Sequence, residues 1–441
     1  MIEKGLSSFF NRFQLSPNRK KVAKNLYWAV IGKMVSVLGE LLVGVFVART
    51  LGPEQFGLMN YVISYVMIFS VISRFGLDGI EVRELSKPET NRGELLGTAL
   101  GLRFIFSGVT YILIALSLWR FEANHMTRTL IYIYAGSVFF GSFAVFRNYF
   151  TSVIQHEHVV KSEIFRTVLG EIIKLLVLWK RPELVWILGA FAFDTVLLGI
   201  GYAGTFRKRA DPGIGRWSFN LDMAGVLVRN AFPLLLSALA IVLYQKINTV
   251  LIRNMLDEAS LGYYAVAAKV VDFSVFIPAI LAQSVAPMLV KAHSENYEAY
   301  LHKRQVFMNW MFWCGTALSI TLFLTAPYVI KILYGDAYSM SHTTLRILAW
   351  KLMFSSWLLA TGEIIVIENL QKYAVFRNIV GAAISISGNL LLIPVWGITG
   401  SALVLVTSVF ATGFISNLLI PRYRFLTTMQ IRTFSNPFNH T

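Results

Sequence analysis

The chain has 441 residues, 56% of them apolar and 14% aromatic, with only 15% charged. Ordinary soluble domains carry about a quarter charged residues, so this chain lacks the polar surface that a water-facing fold of its length needs. The formal charge of +16 invites a nucleic-acid reading, but position decides against it, because Lys4, Arg12, Arg19, Lys20, Lys21 and Lys24 all precede the first apolar run.

Apolar runs of roughly 20 residues recur along the chain, the length that crosses about 30 Å of hydrocarbon as helix. A β-barrel would show shorter, alternating segments. Residues 1–25 read as a basic segment that the enrichment of Lys and Arg in cytosolic regions places in the cytoplasm. Within it, 5–15 (GLSSFFNRFQL) suits a short interfacial helix or a disordered tail. No cleavable signal peptide is expected, since the first apolar segment is span-length and lacks a cleavage site. Spans are expected near 26–48, 57–77, 95–118, 129–151, 159–180 and 183–205, forming a first lobe over 26–205. A polar linker (206–222, containing RKRADPGIGRWSFNLD) follows. A second lobe over 223–421 then has spans near 223–250, 262–290, 306–333, 344–367, 373–395 and 397–421, before a tail at 422–441. Loops 78–94, 206–221 and 291–305 hold basic clusters, such as Arg207, Lys208, Arg209 and Arg216, or Lys291, Lys303 and Arg304. That alternation fits an even number of spans with both termini in the cytoplasm.

The chain also repeats itself. FRTVLG at 165–170 echoes FRNIVG at 376–381, 211 residues on, and ILGA at 187–190 echoes ITGS at 398–401 at the same offset. Arg49-Thr50-Leu51 and Arg253-Asn254-Met255 follow matching helices 204 residues apart, and Phe56-Gly57 matches Leu261-Gly262 at 205. Parallel repeats imply two bundles related by a pseudo-twofold along the membrane normal, with a site between them. The expected fold is therefore an all-α membrane protein with about twelve transmembrane helices in two six-helix lobes.

An ionisable group at the bilayer centre costs on the order of 2.5–3.5 kcal/mol, so its presence asks for a reason. Lys33 and Glu40 are seven apart on one helix face. Arg103 and Arg147 fall in the third and fourth spans, Glu163, Arg166, Glu171 and Lys174 in the fifth, and Asp194 in the sixth. Lys246 and Arg253 are again seven apart, Lys269 and Asp272 are i,i+3 neighbours, and Lys351, Glu363 and Arg377 follow. Mutual pairing or snorkelling accounts for some of these: Arg147, Arg253 and Arg377 sit near span ends, and Glu171 with Lys174 reads as a structural pair. Their number points to a wet, net cationic cavity suited to an anionic cargo, with Lys33, Arg49, Arg103, Arg147, Arg166, Lys174, Lys246, Arg253 and Lys269 as candidate cations. Glu40, Asp194, Asp272 and Glu363 are candidates for ion coupling. Pro233, Pro278, Pro287 and Pro327 fall in or beside spans as kinks, flex points or ends. No catalytic residue is assigned and no cofactor is expected. The chain lacks a G-x-x-x-x-G-K-[ST] loop and an H-E-x-x-H pair, and the His156–Glu157–His158 run reads as a loop, not a metal site. Cys314 stands alone, leaving no disulfide framework.

ARTLGPEQFGLMNY (48–61) followed by FGLDGIEVREL (75–85) resembles the polysaccharide transporter family, the Wzx-type flippases of the multidrug/oligosaccharidyl-lipid/polysaccharide exporter superfamily. Further matching stretches are FPLLLSALAIVLYQKINTVLI (232–252), LGYYAVAAKVVD (261–272) and LYGDAYSMSHTTLRILAW (333–350). The resemblance implies twelve helices in two lobes around a V-shaped cavity, and alternating access. It also implies flipping of undecaprenyl-diphosphate-linked oligosaccharides, such as O-antigen or capsule repeat units, across the bacterial inner membrane. A polysaccharide polymerase and a chain-length regulator are the expected pathway partners. One departure stands out: where members often carry an aspartate in a Tyr-x-Lys-x-Asp stretch, this chain has Tyr244, Lys246 and Asn248. The rivals are a small-molecule or drug cation antiporter of the same fold and a membrane polysaccharide polymerase or ligase. An enzyme would present a large outer loop, whereas 119–128 is among the longest outer loops here and holds no cluster of acid and base groups.

Overall fold

The computed structural model describes residues 17–210 and 217–435, with the side chains of the opening helix described at Met34 and from Ser36 on. The expected interfacial segment 5–15, Arg216 and the side chains of Lys33, His156 and His158 lie outside the described residues. Every regular element among the described residues is helical. Helix α1 (Pro17–Arg74) bends sharply at Gly52, whose φ of 71° no long helix tolerates, so it is two runs joined at one residue. Pro53 opens the second run, where its missing N–H costs nothing. There follow α2 (Leu77–Leu85), α3 (Arg92–Phe121), α4 (His125–Ala135), α5 (Val138–Gly141), α6 (Ala144–Ser152), α7 (His156–Lys180) and α8 (Leu184–Arg209). The second half comprises α9 (Leu221–Met255), α10 (Glu258–Ser274), α11 (Phe276–Glu295), α12 (Tyr297–Tyr334), α13 (Ser341–Ala349), α14 (Lys351–Ile367) and α15 (Ala374–Phe410). A single π turn (Ala411–Ile415), α16 (Ser416–Leu419) and α17 (Arg424–Ser435) complete it.

Short side-chain caps set many of the starts. Asn91, Asn124, Asn220, Asp257 and Asn296 each accept a backbone N–H from the first turn of α3, α4, α9, α10 and α12. Among the described residues nine stretches are long and apolar enough to cross a membrane. The two longest, Ser36–Leu85 and Gln371–Leu419, are each interrupted by a glycine of positive φ, Gly52 and Gly397. Large apolar side chains such as Leu42, Ile112, Leu116, Leu324 and Leu391 stand on the outside, where lipid rather than water covers them.

Three departures from the sequence reading are local. The span expected at 129–151 is present as the apolar stretch His125–Ser152, but it is broken into three short helices by turns at 136–137 and 142–143. The loop expected at 78–94 contains α2. The stretch expected as a tail at 422–441 begins with α17, whose Leu426, Met429 and Thr433 are buried against the second half.

The cores show how the halves meet. At the end holding Gly52 and Gly397 one apolar core draws on both halves, joining Val47, Phe56, Leu118 and Ile187 to Leu261, Val266, Ile330 and Tyr338. At the opposite end there are two. One lies within the first half and the start of α9 (Leu95, Phe146, Leu227), the other within the second half (Tyr300, Phe312, Trp357, Leu426). One shared core above and two separate ones below make a V. The repeated motifs occupy matching places, FRTVLG in α7 and FRNIVG in the first run of α15, each ending on a glycine that abuts a polar side chain of the following span, Asp194 or Thr412.

Candidate functional site

The closed end of the V is held by reciprocal contacts. Arg49, on α1 of the first half, donates from Nε to the carbonyl of Leu333 (2.8 Å) and from Nη2 to that of Ile332 (2.5 Å), at the end of α12. Arg253, at the end of α9, reaches back to Glu122 at the end of α3 (3.0 Å), while its Nε donates to Glu258 (3.2 Å) and its guanidinium lies 4.8 Å from the Tyr61 ring centre. The two arginines are the pair found 204 residues apart in the repeat, and their partners Glu122 and Leu333 are 211 apart. Tyr338 adds a hydroxyl bond to the Ala48 carbonyl (2.8 Å). Burial pushes that hydroxyl above the ordinary tyrosine range, so it stays a donor. Between these bonds the backbones touch. A Cβ on Gly57 would sit 1.8 Å from the Glu258 carbonyl oxygen, and one on Gly262 2.0 Å from that of Pro53. Only glycine permits that approach.

Towards the open end, a cavity of about 430 Å³ separates α1 (Val37, Glu40, Leu41) from α10 and α11 (Lys269, Asp272, Phe273, Phe276). A second, of about 370 Å³, opens within the second half between α9, α10 and α14, lined by Gln245, Lys246, Thr249, Asp272, Lys351 and Ser355 among others. Asp272 borders both. Its Oδ1 accepts from Lys351 Nζ at 2.6 Å. Lys269 points its ammonium at the Phe56 ring, 4.9 Å from the centre, and it forms no ion pair among the described residues. Lys246 forms none either. Glu40 faces the gap opposite Lys269, within its electrostatic reach.

Most of the other intramembrane charges are bonded to side chains of neighbouring helices. Arg166 bonds Asp194 (2.7 Å), and Lys174 bonds both Asp194 (3.2 Å) and Glu171 (3.0 Å), making one cluster on α7 and α8. The cluster packs on α1 beside Gly39, and one oxygen of each acid, Asp194 Oδ1 and Glu171 Oε2, has no hydrogen-bond partner. Arg103, 1% exposed, is sealed by Glu81 (2.7 Å) and Asp78 (2.7 Å) from α2, which also hold Asn148. Arg147, half exposed, lies 3.8 Å from Asp78. Arg377, expected to snorkel, is instead buried inside the second half, donating to Thr361 (3.2 Å) with its Nε unpartnered. Glu363 borders a separate recess of about 560 Å³ with Lys291 and Pro287. Asn248, at the position of the family aspartate, is fully buried and bonded to Tyr264, Ser385 and Asn389.

Of the nine candidate cations, the structure brings Lys246 and Lys269 to the cavities. It puts Arg49 and Arg253 at the closed end and ties Arg103, Arg147, Arg166 and Lys174 to carboxylates, while the side chain of the ninth, Lys33, lies outside the described residues. Sequence reading passed over Glu122, Glu258 and Tyr338, for which the arginine pair of the repeat was the available signal. No group of His, Cys, Asp and Glu among the described residues is arranged to hold a metal.

Residues 22–293 match the family described as polysaccharide biosynthesis protein. No curated protein matches the chain in sequence. Among solved structures, the lipid II flippase MurJ in an inward closed conformation superposes with a TM-score of 0.72 at 13% identity, over 92% of this chain and 91% of its own. An inward-facing multidrug resistance transporter of the MATE family, in the MOP superfamily, superposes at 0.67 with 14% identity, over 91% and 96%. A MOP-superfamily transporter from Pyrococcus furiosus, noted for a binding pocket of reverse polarity, superposes at 0.58 with 15% identity, over 93% and 96%. These likenesses show the fold: a multi-pass helical membrane protein in two lobes.

Proposed function

Because the chain belongs to the polysaccharide biosynthesis protein family, we propose that it is a flippase moving an undecaprenyl-diphosphate-linked oligosaccharide across the bacterial inner membrane by alternating access. One observation carries the cargo's charge. Lys246 and Lys269 border the cavities with no counter-ion bonded to them, although an uncompensated cation at this depth is expensive. A diphosphate supplies what they lack. Lys33, one helical stretch from Glu40 on α1, joins them in this reading.

The lobes are 26–205 and 223–421, joined by 206–222. Arg207, Lys208, Arg209, Lys291, Lys303 and Arg304 crowd the open end, so this end faces the cytoplasm, along with both termini. The conformation is then inward-facing, sealed at the far end by Arg49 and Arg253. Rocking of one lobe against the other exchanges the open ends. The unpartnered oxygens of Asp194 and Glu171 favour ion coupling through the first lobe, where a small cation would supply the partner these oxygens lack. No enzymatic step is needed, and the glycan waits outside for the polymerase.

The test is charge reversal at Lys246 and Lys269, with Lys33 added, in a strain lacking its own flippase. Surface polysaccharide is expected to fall at least tenfold. Full-level polysaccharide with all three reversed would sink the cationic-site reading. A susceptibility change to cationic drugs in the deletion strain, with polysaccharide intact, would favour the antiporter.

A further inference from the structure

The cavity within the second half has a feature that the gap between the halves lacks. Two lysines from different helices, Lys246 on α9 and Lys351 on α14, converge on one acid, Asp272 of α10, which Lys351 holds at 2.6 Å. Lys246 has no bonded counter-ion and shares the field of that acid with Lys269. The acid is also half exposed (51%), while Lys351 is largely covered (15%). A largely covered cation is thus served by a carboxylate that stands at the wall between the two cavities and borders both. Such an acid can leave its lysine without crossing the protein. An oxyanion of similar geometry can take its place, because phosphate and carboxylate oxygens make the same charge-assisted bonds to an ammonium.

We propose that the cavity lined by Lys246, Lys351, Thr249 and Ser355 is a phosphoanion subsite, and that Asp272 is its resident counter-ion, displaced when the anion binds. This rests on the anionic-cargo reading above and gives it a place and a competitor. The displaced carboxylate swings towards the gap, where Lys269 is the nearest cation on its own helix. Loading the subsite therefore rearranges charge on the lobe-facing surface of α10, the helix that carries Gly262 at the closed end. The occupant is a diphosphate or monophosphate, either free or as a lipid headgroup.

The test uses the purified full chain in nanodiscs of zwitterionic lipid, with inorganic pyrophosphate and farnesyl diphosphate as probes. Repeating it in nanodiscs containing phosphatidylglycerol separates a bulk lipid headgroup from the two probes, since competition there identifies the headgroup. Removing the competitor, Asp272→Asn, is expected to tighten pyrophosphate about tenfold, and Lys351→Gln to weaken it by a similar factor. A second measurement spares the fold: in the wild type, pyrophosphate should slow acetylation of Lys246 severalfold, read by mass spectrometry. Binding that a folded Asp272→Asn leaves unchanged or weakens would overturn the counter-ion assignment. Protection of Lys269 with Lys246 unaffected would move the anion into the gap, overturning the subsite but keeping the flippase. No binding to any form, with no lysine protected, would remove both.

Discussion

Arg103 and Lys269 sit at similar depth in the sequence pattern, and the structure gives them opposite jobs. Arg103 has Nε and Nη2 on Glu81, Nη2 on Asp78, and 1% exposure. Removing the arginine leaves Glu81 charged and buried, a cost of about 3–5 kcal/mol. Arg103→Met is therefore expected to lower the melting temperature of the detergent-solubilised protein sharply. Lys269→Met, which strands no acid bonded to it, should leave that temperature close to wild type while polysaccharide export drops. The two melting curves check this directly. Which charges are structural was not readable from the chain, because the partners come from other helices: Asp272 and Lys351 are 79 residues apart. Depth can be read from hydropathy, whereas pairing needs the third dimension. The one pair settled by local spacing, Glu171 with Lys174 at i,i+3, does bond at 3.0 Å.

At the scale of elements, apolar length locates most of the membrane-crossing stretches, since it is a local property. The pieces that were missed depend on tertiary contact. Helix α17 is amphipathic and polar on average, so nothing in its composition separates it from a tail. It is ordered by what it covers: Leu426 and Met429 close the core around Tyr300, Phe312 and Trp357. Gln430 also donates to the carbonyl of Gly413 (2.9 Å) in the π turn, as does Asn417 (2.6 Å). A π turn frees backbone groups that need such partners. Truncation after Tyr423 should thus destabilise the second lobe more than the first. Limited proteolysis would show it as early cleavage within 297–367 while the first-lobe fragment persists. Equal resistance of both lobes would count against α17 as a structural lid on that core.

At the scale of the whole molecule, the repeat was legible in short sequence matches, but its purpose was not. Arg49 and Arg253 looked like cavity cations. In the fold each crosses to the other half, one to carbonyls and one to Glu122, because the matching ends of the two repeats meet at the apex. Since Glu122 is 6% exposed, truncating Arg253 leaves a buried acid without its main partner. If this costs the closed form about 2 kcal/mol, the population opened at the apex rises roughly thirtyfold. Labelling checks it: with Cys314→Ser removing the lone native thiol and Phe273→Cys placed at the gap, Arg253→Ala should speed modification by an impermeant reagent added outside cells. Glu122→Gln should do the same.

The apex seam has one more consequence. Where Gly57 and Gly262 meet the opposite half, main chain rests on main chain with no side chain between, so nothing there can bend or re-pack to absorb an added atom. A single methyl, Gly57→Ala, therefore works as a doorstop: the halves cannot seat, and the same thiol at 273 should be reached from outside even with both arginines intact. The narrowest point of the machine is thus also its most exacting, set to the width of a hydrogen atom.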